Sequence, residues 1–430
     1  MRIGLFTDTY RPSINGIVFV VESLKIHLEG LGHEVYIFCP ARSIRPSKHA
    51  EVLDEDEHVI RFPSVKSGFF DDFDLSLFFP PIVISRIKEL DLDIVHVFTP
   101  SQVGLVGIQA AYKHNIPFVV QHSTDLYEFS ENYPNVLPGS LALASIILPM
   151  TIKLDGKDFR ELAKLYRPRR GAGKWNKDII AKGMTILYSR ADAVIALSRK
   201  SKQQLESWQY DEESHYAVDL LPSGVDAIPA ASEAGIRAFK KQFSIADDDE
   251  VYGFVGRLGE EKNLDILIEA LPLILRERPH ARLLFVGDFD YRKTLERLAR
   301  RSGHGDRVTF TGSLPREDLG LVYGTYKVFV FPSLKDTQGW VLHEAAHAGL
   351  PIVLIDTEVS EVVKDGKNGY FAQNTASDIA HYVVELLSDD DKRKRFGAYG
   401  QQLAQKFNEL SQTKKIVTLY HRIMHSVDSK

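Results

Sequence analysis

One cysteine in 430 residues, Cys39, excludes an internal disulfide, and no Cys/His grouping has the spacing of a zinc site. No apolar run reaches the roughly 18 residues that a membrane-spanning helix needs. Low-complexity tracts and short-period repeats are missing as well. Positive charge is not in excess: 53 Lys and Arg stand against 58 Asp and Glu, a formal net charge of −5, so no global nucleic-acid footprint is expected. The opening residues, MRIGLFTD, carry one basic side chain and read as a strand, not as a signal peptide. With the single cysteine, this fits a reducing, cytoplasmic setting. What remains is 44% hydrophobic and 26% charged, the balance of a folded chain long enough for two or three domains.

The hydrophobic pattern alternates. RIGLFT (2–7) is a short apolar run, followed by the polar loop DTYRPSING and then by Ile17, Val20, Val21, Leu24 and Leu28 at helical spacing. EVYIFCP, DIVHVF, PFVVQH and ADAVIALS read as further buried strands, with a helix over about 102–114. Near Ser223–Val225 the pattern lapses into PSGVDAIPAASEAG, and it then restarts with VYGFVG, the helical stripe LDILIEALPLIL, RLLFVGD, RVTFTG, VFVFPS and PIVLID. Strand, loop, helix, strand is the grammar of a parallel sheet covered by helices. The expected fold class is therefore α/β, with two doubly wound Rossmann-like domains over 1–222 and 223–404, facing across a cleft. Such sheets bind ligands beyond the C-terminal ends of their strands.

In the second half those strand ends are polar. Arg257 and Lys262 follow VYGFVG, Asp288 follows RLLFVG, and FPSLKDTQGWVLHEAAHAGLPIV (331–353) follows the strand VFVF. This last stretch places Asp336 and Glu344 on either side of Gly339 and the start of a helix at about Trp340. Two cations beside a helix N-terminus suit a diphosphate, because the unpaired N–H groups and the helix dipole favour negative charge. Gly339 allows close backbone approach, and the two acids can accept hydrogen bonds from sugar hydroxyls. Taken singly, each feature has a plainer reading. An Arg–Lys pair is commonly a solvated surface feature, and an acid in a first helical turn commonly serves the dipole.

On FTDTYRPSINGI, LPSGVD, GRLGEEKNLDILIEA, FTGSLPREDL and FPSLKDTQGWVLHEAAHAGLPIV, the chain resembles the GT-B-fold retaining glycosyltransferases of family 4 over nearly its whole length. The likeness is to the lipid-glycosylating members such as the diacylglycerol glucosyltransferases. It implies an N-terminal acceptor domain, a C-terminal nucleotide-sugar domain, and a last helix over about 405–430 that returns to the first domain. It implies that Arg257 and Lys262 hold the donor diphosphate, that Glu344 binds the ribose, and that Asp336 contacts sugar hydroxyls with help from the backbone of Gln338, Gly339, Trp340 and Val341. Gly16 would let the diphosphate sit against the first domain, and Leu314 joins the donor contacts. On the acceptor side the candidates are Asp8, Tyr10, His122, Thr124 and Asp125, with His122 also a catalytic candidate. The substrate would be a nucleotide-diphosphate sugar, UDP-glucose-like or GDP-mannose-like, with no further cofactor and no metal. Transfer would retain the anomeric configuration, by front-face attack in which the leaving phosphate accepts the acceptor's proton.

Three departures from the family pattern stand out. Asp336 is one methylene shorter than the usual Glu. Thr357-Glu358 replaces a usual Gly-Gly. A usual His-Thr pair aligns with Ser123-Thr124, so that His122 either substitutes or the contact is lost.

Other readings compete. A metal-dependent transferase would need an Asp-x-Asp pair, for which Asp288 and Asp290 are the serious candidates. A dinucleotide oxidoreductase would need G-x-G-x-x-G after a strand, and GFVGRLG has the wrong spacing. A non-catalytic nucleotide-sugar or glycan-binding module would not need both Arg257 and Lys262. The acceptor is expected to be a membrane lipid such as diacylglycerol or a phosphoinositide, with a soluble or polyprenyl-linked acceptor as the alternative, and no protein partner is deducible. The membrane expectation rests on the Phe-rich segment 67–84 and on residues 153–182, which hold ten Lys/Arg against four Asp/Glu. Basic charge beside apolar side chains suits the anionic inner face of a cell membrane, although a solvated helix has the same composition. The contact candidates are Arg167, Arg169, Arg170 and Trp175. Changing the three arginines to Glu is expected to lower co-sedimentation with anionic vesicles, each basic residue contributing about 1 kcal/mol near such a surface. Equal binding of the wild type and the triple variant would remove this segment from the membrane contact.

Overall fold

The computed structural model describes residues 1–13, 15–41, 56–66, 74–76, 87–99, 101–123, 148–154, 156–165, 172–209 and 214–428. Thr124, Asp125, Arg167, Arg169 and Arg170 lie outside them, as does all of the Phe-rich segment except residues 74–76. The chain forms two compact units, one of Met1–Ser223 with Gln412–Lys430 and one of Gly224–Ser411.

In the first unit seven parallel strands form one sheet. In chain order they are β1 (Arg2–Phe6), β2 (Glu34–Pro40), β3 (Val59–Phe62), β6 (Ile94–Val97), β7 (Phe118–His122), β8 (Ala193–Ala196) and β9 (Val218–Leu220). Between β3 and β6 in sequence, β4 (Ser64–Lys66) and β5 (Asp74–Ser76) make a separate antiparallel pair. The spatial order of the main sheet is β3-β2-β1-β6-β7-β8-β9. Its central strands are apolar at nearly every position because both faces are covered. Val35 and Ile37 pack with helix Gly16–Gly30 and with Ile416, Leu419, Tyr420 and Ile423 of the last helix, Glu409–Asp428. Tyr36 and Phe38, one residue out of step, pack with helices Gln102–His114 and Ala172–Tyr188 on the other face.

The second unit repeats the plan with six strands, β10 (Glu250–Val255), β11 (Ala281–Val286), β12 (Val308–Phe310), β13 (Val328–Phe331), β14 (Ile352–Leu354) and β15 (Gly369–Phe371). They run in the order β12-β11-β10-β13-β14-β15, all parallel. In each sheet the winding reverses beside the unit's first strand, between β1 and β6 in one and between β10 and β13 in the other. This is the switch point at which doubly wound sheets leave a crevice. Among the described residues, no helix is long and apolar enough to cross a membrane. Cys39 is buried.

Two fully buried histidines pack against helical segments. His96 Nδ1 lies 2.6 Å from the Tyr420 hydroxyl of the last helix, and His343 packs edge-on against Phe407. Burial pushes both down to about 3. Below about pH 6.5 the unfolded chain takes up protons that these residues refuse when folded, so stability is lost as pH falls from there towards 3. At pH 5.5 the loss is about 1.4 kcal/mol per histidine. In the first unit Asp8 opposes it. Burial raises this carboxyl to about 6, so its contribution grows as pH falls from about 6 to 4. The second unit, which holds His343, is therefore expected to lose stability between pH 7 and 5.5. His343→Gln should flatten that loss in melting curves, and an unchanged acid limb in the variant would refute the assignment.

Candidate donor site at the second switch point

The loops that follow β10 and β13 meet at the crevice. The first makes a short turn, Glu260–Lys262, that ends at Asn263 in the left-handed region (φ 55°). The Asn263 side-chain amide donates to the Pro332 carbonyl at 3.2 Å, which ties this loop to the one leaving β13. It also reaches Asn374 Oδ1 at 2.9 Å. With the two loops fixed, Lys262 Nζ donates to Asp336 Oδ1 at 2.6 Å, and both groups are largely withdrawn from solvent. An ammonium has three protons to give, so this bond leaves two for an anionic ligand.

Arg257 lies at the rim, with its side chain 54% exposed. Its guanidinium is aimed by two neighbours. Glu261 accepts from Nη2 at 2.9 Å, and the ring of Phe289, after β11, lies 4.8 Å beneath the cationic carbon. The adjacent Asp288 is engaged by Arg292 at 3.0 Å, and that ion pair would compete with any metal for its carboxylate.

Helix Trp340–His347 opens at Gly339. Its φ of 66° requires glycine, and a Cβ there would come within 2.9 Å of Leu342 Cδ1. Backbone geometry alone therefore accounts for this residue. Gln338 is buried beside it, and Trp340 and Val341 are half-buried. Glu344, one turn in, is 3% exposed. It accepts from Arg316 Nη1 and from the Tyr323 hydroxyl, each at 2.7 Å. Leu314, just before Arg316, packs at the edge of the core. The loop after β14 carries Thr357-Glu358, where the Glu358 N–H donates to Asp356 Oδ1 at 3.1 Å.

The first unit places its candidates differently. Asp8 is buried, and its carboxylate is taken up by Thr99 Oγ1 (2.7 Å) and the N–H groups of Val103 (2.6 Å) and Gly104 (3.4 Å), so it caps helix Gln102–His114. Tyr10 lies under the Arg61 guanidinium at 5.8 Å. Gly16 opens helix Gly16–Gly30, whose first N–H groups are capped by Asn15, and a Cβ on Gly16 would meet nothing within 4 Å. His122 is buried at the end of β7, with Nδ1 3.0 Å from the Tyr188 hydroxyl and its ring edge-on to Trp208. Trp175 is half-buried against the core. The structure thus brings Lys262 and Asp336 together and puts Arg257, Gly339 and Glu344 on the loops and helix around them. Arg316, Tyr323 and Glu261 were not singled out from sequence. Arg316 lies within the quoted motif FTGSLPREDL, but its partner is 28 residues away, so the pair was not legible.

The family described as "Glycosyltransferase Family 4" matches residues 14–227, and "Glycosyl transferases group 1" matches 235–403. The chain is 27% identical over 390 residues to an alpha-monoglucosyldiacylglycerol synthase of Acholeplasma laidlawii, covering 89% of this chain and 87% of that one. It is 26% identical over 357 residues to a GDP-mannose-dependent alpha-mannosyltransferase of Mycolicibacterium smegmatis, covering 83% and 80%. Among solved structures, sucrose-phosphate synthase from Thermosynechococcus elongatus superposes with a TM-score of 0.68 over 99% of each chain at 18% identity, a likeness of fold.

Lys262→Ala is expected to lower kcat/KM about 100-fold or more, the scale of losing one electrostatic stabiliser of a leaving group. Asp336→Glu should retain more activity than Asp336→Ala while shifting the ratio of rates among donor sugars. A near-normal rate in Lys262→Ala, or unchanged donor ratios in Asp336→Glu, would detach these residues from the donor.

Proposed function

Since the chain belongs to the GT-B glycosyltransferases of family 4 and is a hexosyltransferase, we propose that it moves a hexose from a nucleotide-diphosphate sugar to a hydroxyl of a membrane lipid, with diacylglycerol the first candidate. The observation that carries this reading is the Lys262–Asp336 pair at the switch point of the second sheet. It sets a cation for phosphate beside an acid for sugar hydroxyls, on two loops locked by Asn263. The lipid acceptor is supported by the relative that makes a glucosyl diacylglycerol.

In the proposed reaction the bond from the anomeric carbon to the diphosphate oxygen breaks, and a bond to the acceptor oxygen forms on the same face. The acceptor's proton passes to the leaving phosphate. Lys262 and Arg257 stabilise the charge that grows on that phosphate, an electrostatic contribution that needs no metal of its own. Asp336 orients the sugar and Glu344 the ribose. On the acceptor side, His122 is the polar group at the end of its strand, held by Tyr188.

The test is nucleotide release from UDP-glucose, UDP-galactose and GDP-mannose, with and without vesicles containing diacylglycerol, in excess chelator. One donor is expected to support release that rises with the lipid, giving an α-linked glycolipid by NMR. Release stimulated only by soluble sugars would overturn the lipid acceptor. Loss of turnover in chelator, restored by magnesium or manganese, would turn attention to Asp288 and Asp290.

A further inference from the structure

Glu344 is held from two sides. Arg316 belongs to the turn Arg316–Asp318 after β12 and donates to Oε1; Tyr323 belongs to helix Leu319–Thr325 and donates to Oε2. Arg316 is in turn steadied by the indole of Trp340, with the cationic carbon 5.6 Å from the ring centroid. Two donors on separate oxygens fix the plane of a carboxylate, because rotating it would break both bonds at once. Each oxygen has two lone-pair directions. One bond on each therefore leaves one acceptor direction on each, a capacity that a pair of neighbouring hydroxyls can satisfy.

We infer that Arg316 and Tyr323 are positioning residues: they lock Glu344 so that its remaining lone pairs accept from the two hydroxyls of a ribose, which makes the donor site select ribonucleoside over deoxyribonucleoside diphosphates. The inference rests on the proposed reading of Glu344 as the ribose contact. Two further observations fit a permanent clamp. Burial and the neighbouring Glu344 push the Tyr323 phenol well above its ordinary value, so it remains a donor throughout the working pH range. An arginine at 316 sets its cationic carbon over the Trp340 ring while reaching Glu344, and a lysine would keep the charge but lose the forked guanidinium.

The test titrates the whole protein with UDP and GDP and with their 2′-deoxy counterparts. The wild type is expected to prefer the ribo form of whichever base it binds. Tyr323→Phe and Arg316→Lys should each weaken binding of the ribo form about fivefold to tenfold, as for one lost hydrogen bond. Neither should weaken the deoxy form to the same degree, so the ratio collapses. A merely structural role would lower both forms together and leave the ratio intact, and that result overturns the inference. Arg316 is partly exposed, so Arg316→Lys supplies the readout if Tyr323→Phe fails to fold. Binding of neither UDP nor GDP by the wild type would sink the donor reading itself. Binding with equal affinity for ribo and deoxy forms would sink only the clamp.

Discussion

A parallel sheet wound in both directions has one place where adjacent strands send their chains to opposite faces, and no helix covers that notch. The candidate site of the second unit is built on how the notch between β10 and β13 is furnished. Two loops emerge side by side, Asn263 ties them together, and the tie brings Lys262 to Asp336. An ion pair withdrawn from water is costly unless it is well bonded. The same withdrawal strengthens its field towards any phosphate or hydroxyl that enters.

The first unit meets the same constraint with the opposite outcome. Its notch lies between β1 and β6, and Asp8, after β1, turns inward to the N–H groups that follow β6. The carboxylate is spent on a helix start inside its own unit, whereas in the second unit Asp336, after β13, faces a lysine with donors to spare. One topology thus carries two differently bonded switch points, and the difference is a few side chains.

Much of this could be read before the structure. Continuous apolar runs announced the inner strands, and EVYIFCP coincides with β2 to the residue. The short edge strands β3, β9 and β15 were not legible, because VIRF, VDL and GYF have no pattern of their own and are extended only by pairing with a neighbour. At the site, Lys262, Asp336 and Glu344 stood out as charged residues at strand ends and a helix start. Their partners did not. The Arg316–Glu344 and Lys262–Asp336 bonds join residues 28 and 74 positions apart, and periodicity carries no information over such distances. Asp8 was an acceptor-side candidate on the resemblance alone, and its bonds to the start of helix Gln102–His114 were not legible, because they join residues more than 90 positions apart.

The last helix has a consequence for how the molecule is made. Ile416, Leu419, Tyr420 and Ile423 belong to the core of the first unit, yet they leave the ribosome after all of the second unit, which is contiguous from Gly224 to Ser411. The second unit can therefore close its sheet while synthesis is still under way. The first unit emerges earlier but lacks, until the last helix arrives, the side chains of that helix that complete one face of its sheet. During that interval the side chains of β1, β2 and β6 that will meet Tyr420 are the nascent chain's point of exposure to chaperones and to aggregation.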